Sequence, residues 1–349
     1  MSGSESKVRV VFVTGAGGVG KSTFSAALAA RCAALGSGRV LLITVDPARR
    51  LASSMGVVAE GNDIVEVGDG EPFWVSMLDA KRGWDDLVRR VAPRPEVADR
   101  VLANGMYRNI TGRFVNSHDY IAVERLFEVT RSGDFDVVVV DTPPSRNALS
   151  VIDAAERMRE FFASRLLRWL TLPASNRLVA VTSKPFFAVA DRVLGSRFLS
   201  DVSEFFALFR LMEPTFTAHA REVERLLREP TTEFLVVTTA EPAPVAEADF
   251  LARELRARQL NLAAVVVNRL VDDATRGEAE RLSLSRQSAA VERVVHEVMA
   301  TVGREDRTCA ELKARHDCDV VRVTDSGSAV NDVAGIRRLA ESFDWGSMP

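Results

Sequence analysis

Residues Gly15 to Thr23 read Gly-Ala-Gly-Gly-Val-Gly-Lys-Ser-Thr, directly after the apolar run Val8-Arg-Val-Val-Phe-Val13. Glycines let consecutive backbone N–H groups turn toward one point, and a helix opening near Lys21 adds its positive N-terminal end, so the segment suits a polyphosphate. Gly15, Ala16, Gly17, Gly18, Val19 and Gly20 are expected to form the cradle, with Lys21, Ser22 and Thr23 completing the nucleotide contacts. Lys21 would reach the β- and γ-phosphates, and the Ser22 hydroxyl would join a Mg2+ shell.

Two aspartates with suitable chemistry follow other apolar runs. Asp46 opens Asp-Pro-Ala-Arg-Arg-Leu51 after Val40–Thr44. A carboxylate there can order Mg2+-bound water or respond to the γ-phosphate, although an aspartate before a proline is also a good helix cap. Asp141 opens Asp-Thr-Pro-Pro-Ser-Arg-Asn147 after Val137–Val140 and has the character of an acid bonded to the Mg2+ shell through Ser22 or water. Lys21, Asp46 and Asp141 form the expected catalytic set, and Ser22, Asp46 and Asp141 the expected metal set. Asn268, after Ala264–Val267, offers a donor and an acceptor to an adenine edge. No Asn-Lys-x-Asp guanine-reading signature stands there, so ATP is expected over GTP.

The elements that must position these groups are legible as short β-branched runs between helical stretches. They lie at Val8–Val13, Val40–Thr44, Val137–Val140, Phe234–Thr238, Ala264–Val267 and Val320–Val323. Continuous apolar runs suit strands covered on both faces, and right-handed crossovers between them give a doubly wound, mainly parallel α/β sheet. Ligands on such sheets bind beyond the carboxyl ends of the strands, where every motif above sits. The alternation is interrupted by a helical, charged stretch at about 79–129 and by a helical subdomain at about 148–230. The expectation is one domain over 1–349, with a nucleotide-binding core at 1–147 and 231–349 and an inserted helical subdomain.

Composition excludes several classes. A chain of 349 residues with 47% hydrophobic residues can bury a large core, and its formal charge of −3 supplies no overall basic field for nucleic acid. Cys32, Cys309 and Cys318 are too few and too far apart for a disulfide framework or a CxxC clip. The four histidines show no metal-ligand spacing. The first residues carry no apolar leader and no window is apolar enough to cross a bilayer, so the expected location is the cytoplasm.

Taken in order, Gly15-Ala-Gly-Gly-Val-Gly-Lys-Ser22, Asp46-Pro-Ala-Arg-Arg-Leu51, Asp141-Thr-Pro-Pro-Ser-Arg-Asn-Ala148, Thr238-Thr-Ala-Glu-Pro242 and Val267-Asn-Arg269 resemble the ArsA-type anion-transporting ATPases. That family holds the arsenite-pump ATPase and the targeting factor for tail-anchored membrane proteins. The resemblance implies ATP held with Mg2+ between two subunits, a copy of itself or a paralogue, and hydrolysis coupled to opening and closing of the dimer. Three departures stand out. The family's extra loop lysine is replaced by Ala16, and the aspartate seven residues after the Asp46 position is replaced by Ser53. Neither clustered thiols nor a CxxC pair is present.

In the helical subdomain Phe198, Val202, Phe205, Phe209, Met212 and Phe216 form a stripe at steps of three and four, and Phe161, Phe162, Leu166, Leu167, Trp169 and Leu170 supply a second apolar surface. Helix-to-helix core packing is the ordinary meaning of such stripes. The resemblance adds the alternative of a groove for a hydrophobic peptide, lipid or membrane-protein client. Two further readings are a hydrolysis-poor ATP-binding subunit paired with a paralogue, which Ala16 and Ser53 motivate, and a partition-type positioning ATPase.

Overall fold

The computed structural model describes residues 8–45, 55, 62–68, 72–111, 117–143, 148–164, 196–285, 287–325, 327, 330 and 332–343. These divide into two compact units, one made of Met1–Leu78, Val129–Leu149 and Leu227–Pro349, the other of Asp79–Glu128 and Ser150–Leu226.

The first unit is built on eight strands, β1 (Arg9–Gly15), β2 (Val40–Thr44), β3 (Ile64–Val67), β4 (Phe73–Met77), β5 (Val137–Asp141), β6 (Thr232–Thr238), β7 (Leu262–Leu270) and β8 (Asp319–Thr324). They lie in the order β3-β4-β2-β5-β1-β6-β7-β8. Every pairing is parallel except β3 with β4. The six apolar runs are all strands, which makes this an α/β fold of the phosphate-loop type. Sequence reasoning missed β3 and β4. The reason is physical: β3 is a four-residue antiparallel edge whose first three residues are exposed or half-exposed, so it lacks the continuous apolar run that marks a buried parallel strand.

Helix α1 (Lys21–Ala34) covers one face. Phe24, Ala27, Leu28 and Cys32 pack there with Val11, Val13, Leu42, Val139, Leu235 and Val237, and with Ile336, Leu339 and Ala340 of the last described helix. Alternation sends Phe12 and Phe234 to the opposite face, where their rings stack at 4.9 Å. Helix α9 (Pro242–Ala257) lies against β6, β7 and β1, burying Leu251, Ala252 and Leu255. Helices α10 (Asp273–Ser283), α11 (Ala289–His316) and α12 (Val333–Glu341) complete the unit.

The second unit is helical: α2 (Ala80–Val91), α3 (Pro95–Ala103), α4 (Gly105–Thr111), most of α5 (Ser117–Ser132), most of α6 (Ala148–Ala163), α7 (Ser196–Arg210) and most of α8 (Glu213–Leu227). Its starts follow from capping chemistry: the Asp79 carboxylate accepts the Arg82 N–H at 2.9 Å and Pro95 occupies the first turn of α3. Aromatic rings form its centre. Phe162 stacks on Phe209 at 5.3 Å, Phe209 lies 5.1 Å from Phe216, and Trp84 stacks on Tyr120 at 5.7 Å. Of the apolar stripe, Phe205, Phe209, Met212 and Phe216 are buried core and Val202 is half-buried, as are Phe206 beside it and Phe161 of the second surface. The side chain of Phe198 and residues 166–170 lie outside the described set.

Candidate functional site

The Gly15–Thr23 loop joins the end of β1 to the start of α1, at the middle of the sheet. A side chain on Gly15 would overlap the Val237 carbonyl of the adjacent strand, and φ there is +147°. Gly20, at φ +89°, is the N-cap of α1, and no side chain caps that helix end. The first turn of a helix leaves N–H groups without intrahelical partners. Its first turn carries no acidic residue, which suits an anion at that helix start. Val19 is buried beneath the loop, and Ser22 and Thr23 are half-buried. Lys21 is 6% exposed, and its Nζ donates to the Ala16 carbonyl at 2.8 Å. The ammonium thus lies across the loop on a backbone carbonyl.

Asp141 ends β5, level with Val13 of β1 on one side and Thr44 of β2 on the other, and is fully buried. Thr44 Oγ1 donates to its Oδ2 at 3.2 Å. Ser25 Oγ lies 3.4 Å from its Oδ1 and 3.0 Å from the Lys21 carbonyl, so its single proton serves one or the other. The backbone repeats the tie, because the Val45 N–H donates to the Asp141 carbonyl at 3.1 Å. Asp141 is therefore bonded both to the helix that opens at Lys21 and to the strand that leads into Asp46. Asp46 itself, with Arg49, Arg50 and Ser53, lies outside the described residues.

Buried polar side chains gather at these strand ends: Thr14, Thr44, Asp141, Thr142, Thr238, Thr239 and Asn268. Thr142 Oγ1 donates to the Val13 carbonyl at 2.9 Å, whereas the Thr14 hydroxyl has no hydrogen-bond partner. Asn268 is anticipated at an adenine edge. The structure shows its Nδ2 donating to the Val19 carbonyl at 2.8 Å and its Oδ1 accepting the Arg269 N–H at 2.9 Å. The loop thus touches β7 as well as β1, a contact that sequence reasoning did not anticipate. Ser25 and Thr44 were missed too. Ser25 did leave a trace, since it stands one helical turn after Lys21.

The donor set fits a magnesium polyphosphate. It holds an ammonium, hydroxyls and an uncapped helix start for phosphate oxygens, and a hydroxyl and carboxylate of the hard oxygen type that Mg2+ takes. Soft-metal chemistry finds no such support. Among the described residues no group of three or more His, Cys, Asp or Glu side chains could hold a metal ion. Burial pushes the Cys32 thiol up to about 11 and raises those of Cys309 and Cys318. No described helix is long and apolar enough to cross a membrane.

Known proteins are similar to this chain in sequence. The profile of the Anion-transporting ATPase family matches residues 8–302. ATPase ARSA1 of Chlamydomonas reinhardtii is 25% identical over 317 residues, covering 83% of this chain and 38% of that protein. ATPase get3 of Schizosaccharomyces pombe is 25% identical over 274 residues, 77% of this chain and 75% of its own. A putative arsenical pump-driving ATPase 2 of Aquifex aeolicus is 28% identical over 162 residues, 44% of this chain and 52% of its own. The chain spans less than half the length of the Chlamydomonas relative.

Proposed function

The chain belongs to the anion-transporting ATPase family, and from that premise we propose that it binds ATP with Mg2+ at the Gly15–Thr23 loop and hydrolyses it to ADP and phosphate. The observation that carries this reading is Lys21: a buried ammonium held on the Ala16 carbonyl, beside a helix start that no side chain caps. Phosphate oxygens arriving there would accept charge-assisted hydrogen bonds, which are roughly twice as strong as neutral ones. Mg2+ would supply charge neutralisation to the bound phosphates, with Ser22 holding it directly and Asp141 through water. Asp46 begins the segment that would respond to the γ-phosphate.

The same reading extends to the assembly. ATP is sandwiched between two subunits, a second copy or a paralogue, and its turnover switches the conformation of the helical unit. The family resemblance of the sequence motifs extends the proposal to a cytoplasmic protein that handles a hydrophobic peptide, lipid or membrane-protein client. Nucleic acid is not among the proposed partners.

Calorimetric titration with Mg-ATP, followed by a phosphate-release assay, tests the site. Wild type should bind and release phosphate, Lys21→Ala should lose both, and Ser22→Ala should lose the Mg2+ dependence. A hydrogen bond to a charged group contributes about 1.5–3 kcal/mol, so a loss of affinity smaller than about threefold in Lys21→Ala would overturn the assignment.

A further inference from the structure

Resting on that reading of the site, we propose that Thr44 is a positioning residue for magnesium: its hydroxyl sets the orientation in which the Asp141 carboxylate meets Mg2+-bound water. β2 and β5 run parallel, and Thr44 and Asp141 are paired across them as the last residue of each strand. In both strands four apolar residues precede this one polar position. Alternation puts both side chains on the face that α1 covers, since Val40 and Leu42 of β2 and Val137 and Val139 of β5 pack there. Thr44 is 3% exposed and Asp141 fully buried. A valine would fill the same space as Thr44, so what threonine adds at this position is a hydrogen-bond donor.

The Thr44 hydroxyl donates to Asp141 Oδ2 at 3.2 Å. Ser25 Oγ lies 3.4 Å from Oδ1 but also 3.0 Å from the Lys21 carbonyl, so its proton is divided with the helix. Side-chain stiffness decides which group orients the other. The terminal torsion of an aspartate is broad, which leaves the plane of the carboxylate to its hydrogen-bond donors. Threonine branches at Cβ, which restricts χ1 and holds its hydroxyl in place on the strand. Thr44 is the stiff partner, and Asp141 the one that is turned. One residue on, the Val45 N–H donates to the Asp141 carbonyl at 3.1 Å, so the end of β2 holds the backbone of the acid as well as its side chain. An ionised carboxylate has about four lone-pair sites, so the Thr44 bond leaves room for metal-bound water while fixing the direction from which it is met.

Calorimetric titration of ATP, with Mg2+ and with a chelator in its place, compares the full chain with its Thr44→Val and Thr44→Ser variants. Val keeps the shape and loses the donor, whereas Ser keeps the donor and loses a methyl group. Removing a group that orients a metal-binding carboxylate typically costs about 10–100-fold in metal affinity. Thr44→Val should therefore bind Mg-ATP roughly tenfold or more weakly than wild type, and Thr44→Ser should recover most of that loss. ATP binding without Mg2+ should be the same for all three. In the ligand-free protein the carboxyl-carbon resonance of Asp141, assigned by its loss in Asp141→Asn, should shift in Thr44→Val and return in Thr44→Ser. The proposal is overturned if Thr44→Val keeps the wild-type gain from Mg2+, loses affinity equally with and without the metal, or is matched in its defect by Thr44→Ser. Should Val prevent a cooperative melt, Thr44→Ala removes the same hydroxyl and takes its place. A wild type that binds ATP no better with Mg2+ than without it overturns the proposal together with the metal assignment. If wild type binds no ATP at all, the nucleotide reading fails, and the carboxyl resonance, which needs no ligand, decides by itself whether Thr44 turns Asp141.

Discussion

Lys21, Asp141 and Glu305 show three ways in which this chain keeps a charged side chain inside. Lys21 rests on a backbone carbonyl, and Asp141 takes the hydroxyl of Thr44 with that of Ser25 nearby. Glu305, 5% exposed, accepts the backbone N–H of Val271 at 3.1 and 3.3 Å. Burial, opposed by the Val271 bond and by Arg322 and Arg304, raises its pKa from 4.5. An acid whose folded pKa lies above its unfolded one opposes folding increasingly as pH rises through that interval. Glu305→Gln keeps an acceptor for Val271 and removes the charge. The variant should therefore melt higher than wild type near pH 7, with the gap closing toward about pH 4. A gap that is flat with pH, or a less stable variant at neutral pH, would show that the carboxylate is not penalised there. The residues of the loop were legible because they are contiguous. Ser25, Thr44 and the Val19 bond of Asn268 were not, since these contacts span 116, 97 and 249 residues of sequence.

At the scale of elements, the apolar runs marked strands wherever both faces are covered, and failed at β3, whose outer residues face solvent. Helical stripes carry the opposite ambiguity: periodicity shows that a face is apolar but not what covers it. In α7 and α8 the described members of the stripe are covered by their own unit. Phe205 stacks on Phe209 at 5.4 Å and lies 6.3 Å from Tyr107, and Phe216 contacts Phe162, Phe209, Tyr120 and Trp84. Phe205→Asp would bury an unpaired carboxylate among these rings. Removing the ring alone costs about 3–5 kcal/mol, and the charge adds to it. The variant should lose its cooperative melt or shift it down by many degrees. A variant that melts like wild type would mean that Phe205 faces a groove able to admit water, and would return the client alternative to this segment. Phe206 of α7 and Phe161 of α6, 6.1 Å apart, are only half-buried by this packing.

For the molecule as a whole, the decisive residue is the one at position 16. By the resemblance, the family's lysine there reaches across a dimer to the opposite nucleotide, whereas Ala16 offers no side-chain cation; the bond from Lys21 goes to its backbone carbonyl, which any residue there would present. On the proposed reading that change leaves phosphate binding to the loop, the helix start and Lys21. What it removes is a cation used late in hydrolysis, and a cation acting across an interface is worth ~10³-fold or more in phosphoryl transfer. The purified protein should therefore bind ATP normally and turn it over slowly. Two sources could restore the charge: Arg49 or Arg50 of the segment after Asp46, or a paralogous subunit that keeps its loop lysine. The first predicts that Arg49→Ala with Arg50→Ala lowers the residual rate further without weakening ATP binding. The second predicts that a partner isolated with the chain from its own cells accelerates phosphate release. Turnover by the pure chain as fast as that of ordinary switch ATPases, unchanged in the double arginine variant, would refute both the missing-cation argument and its arginine remedy.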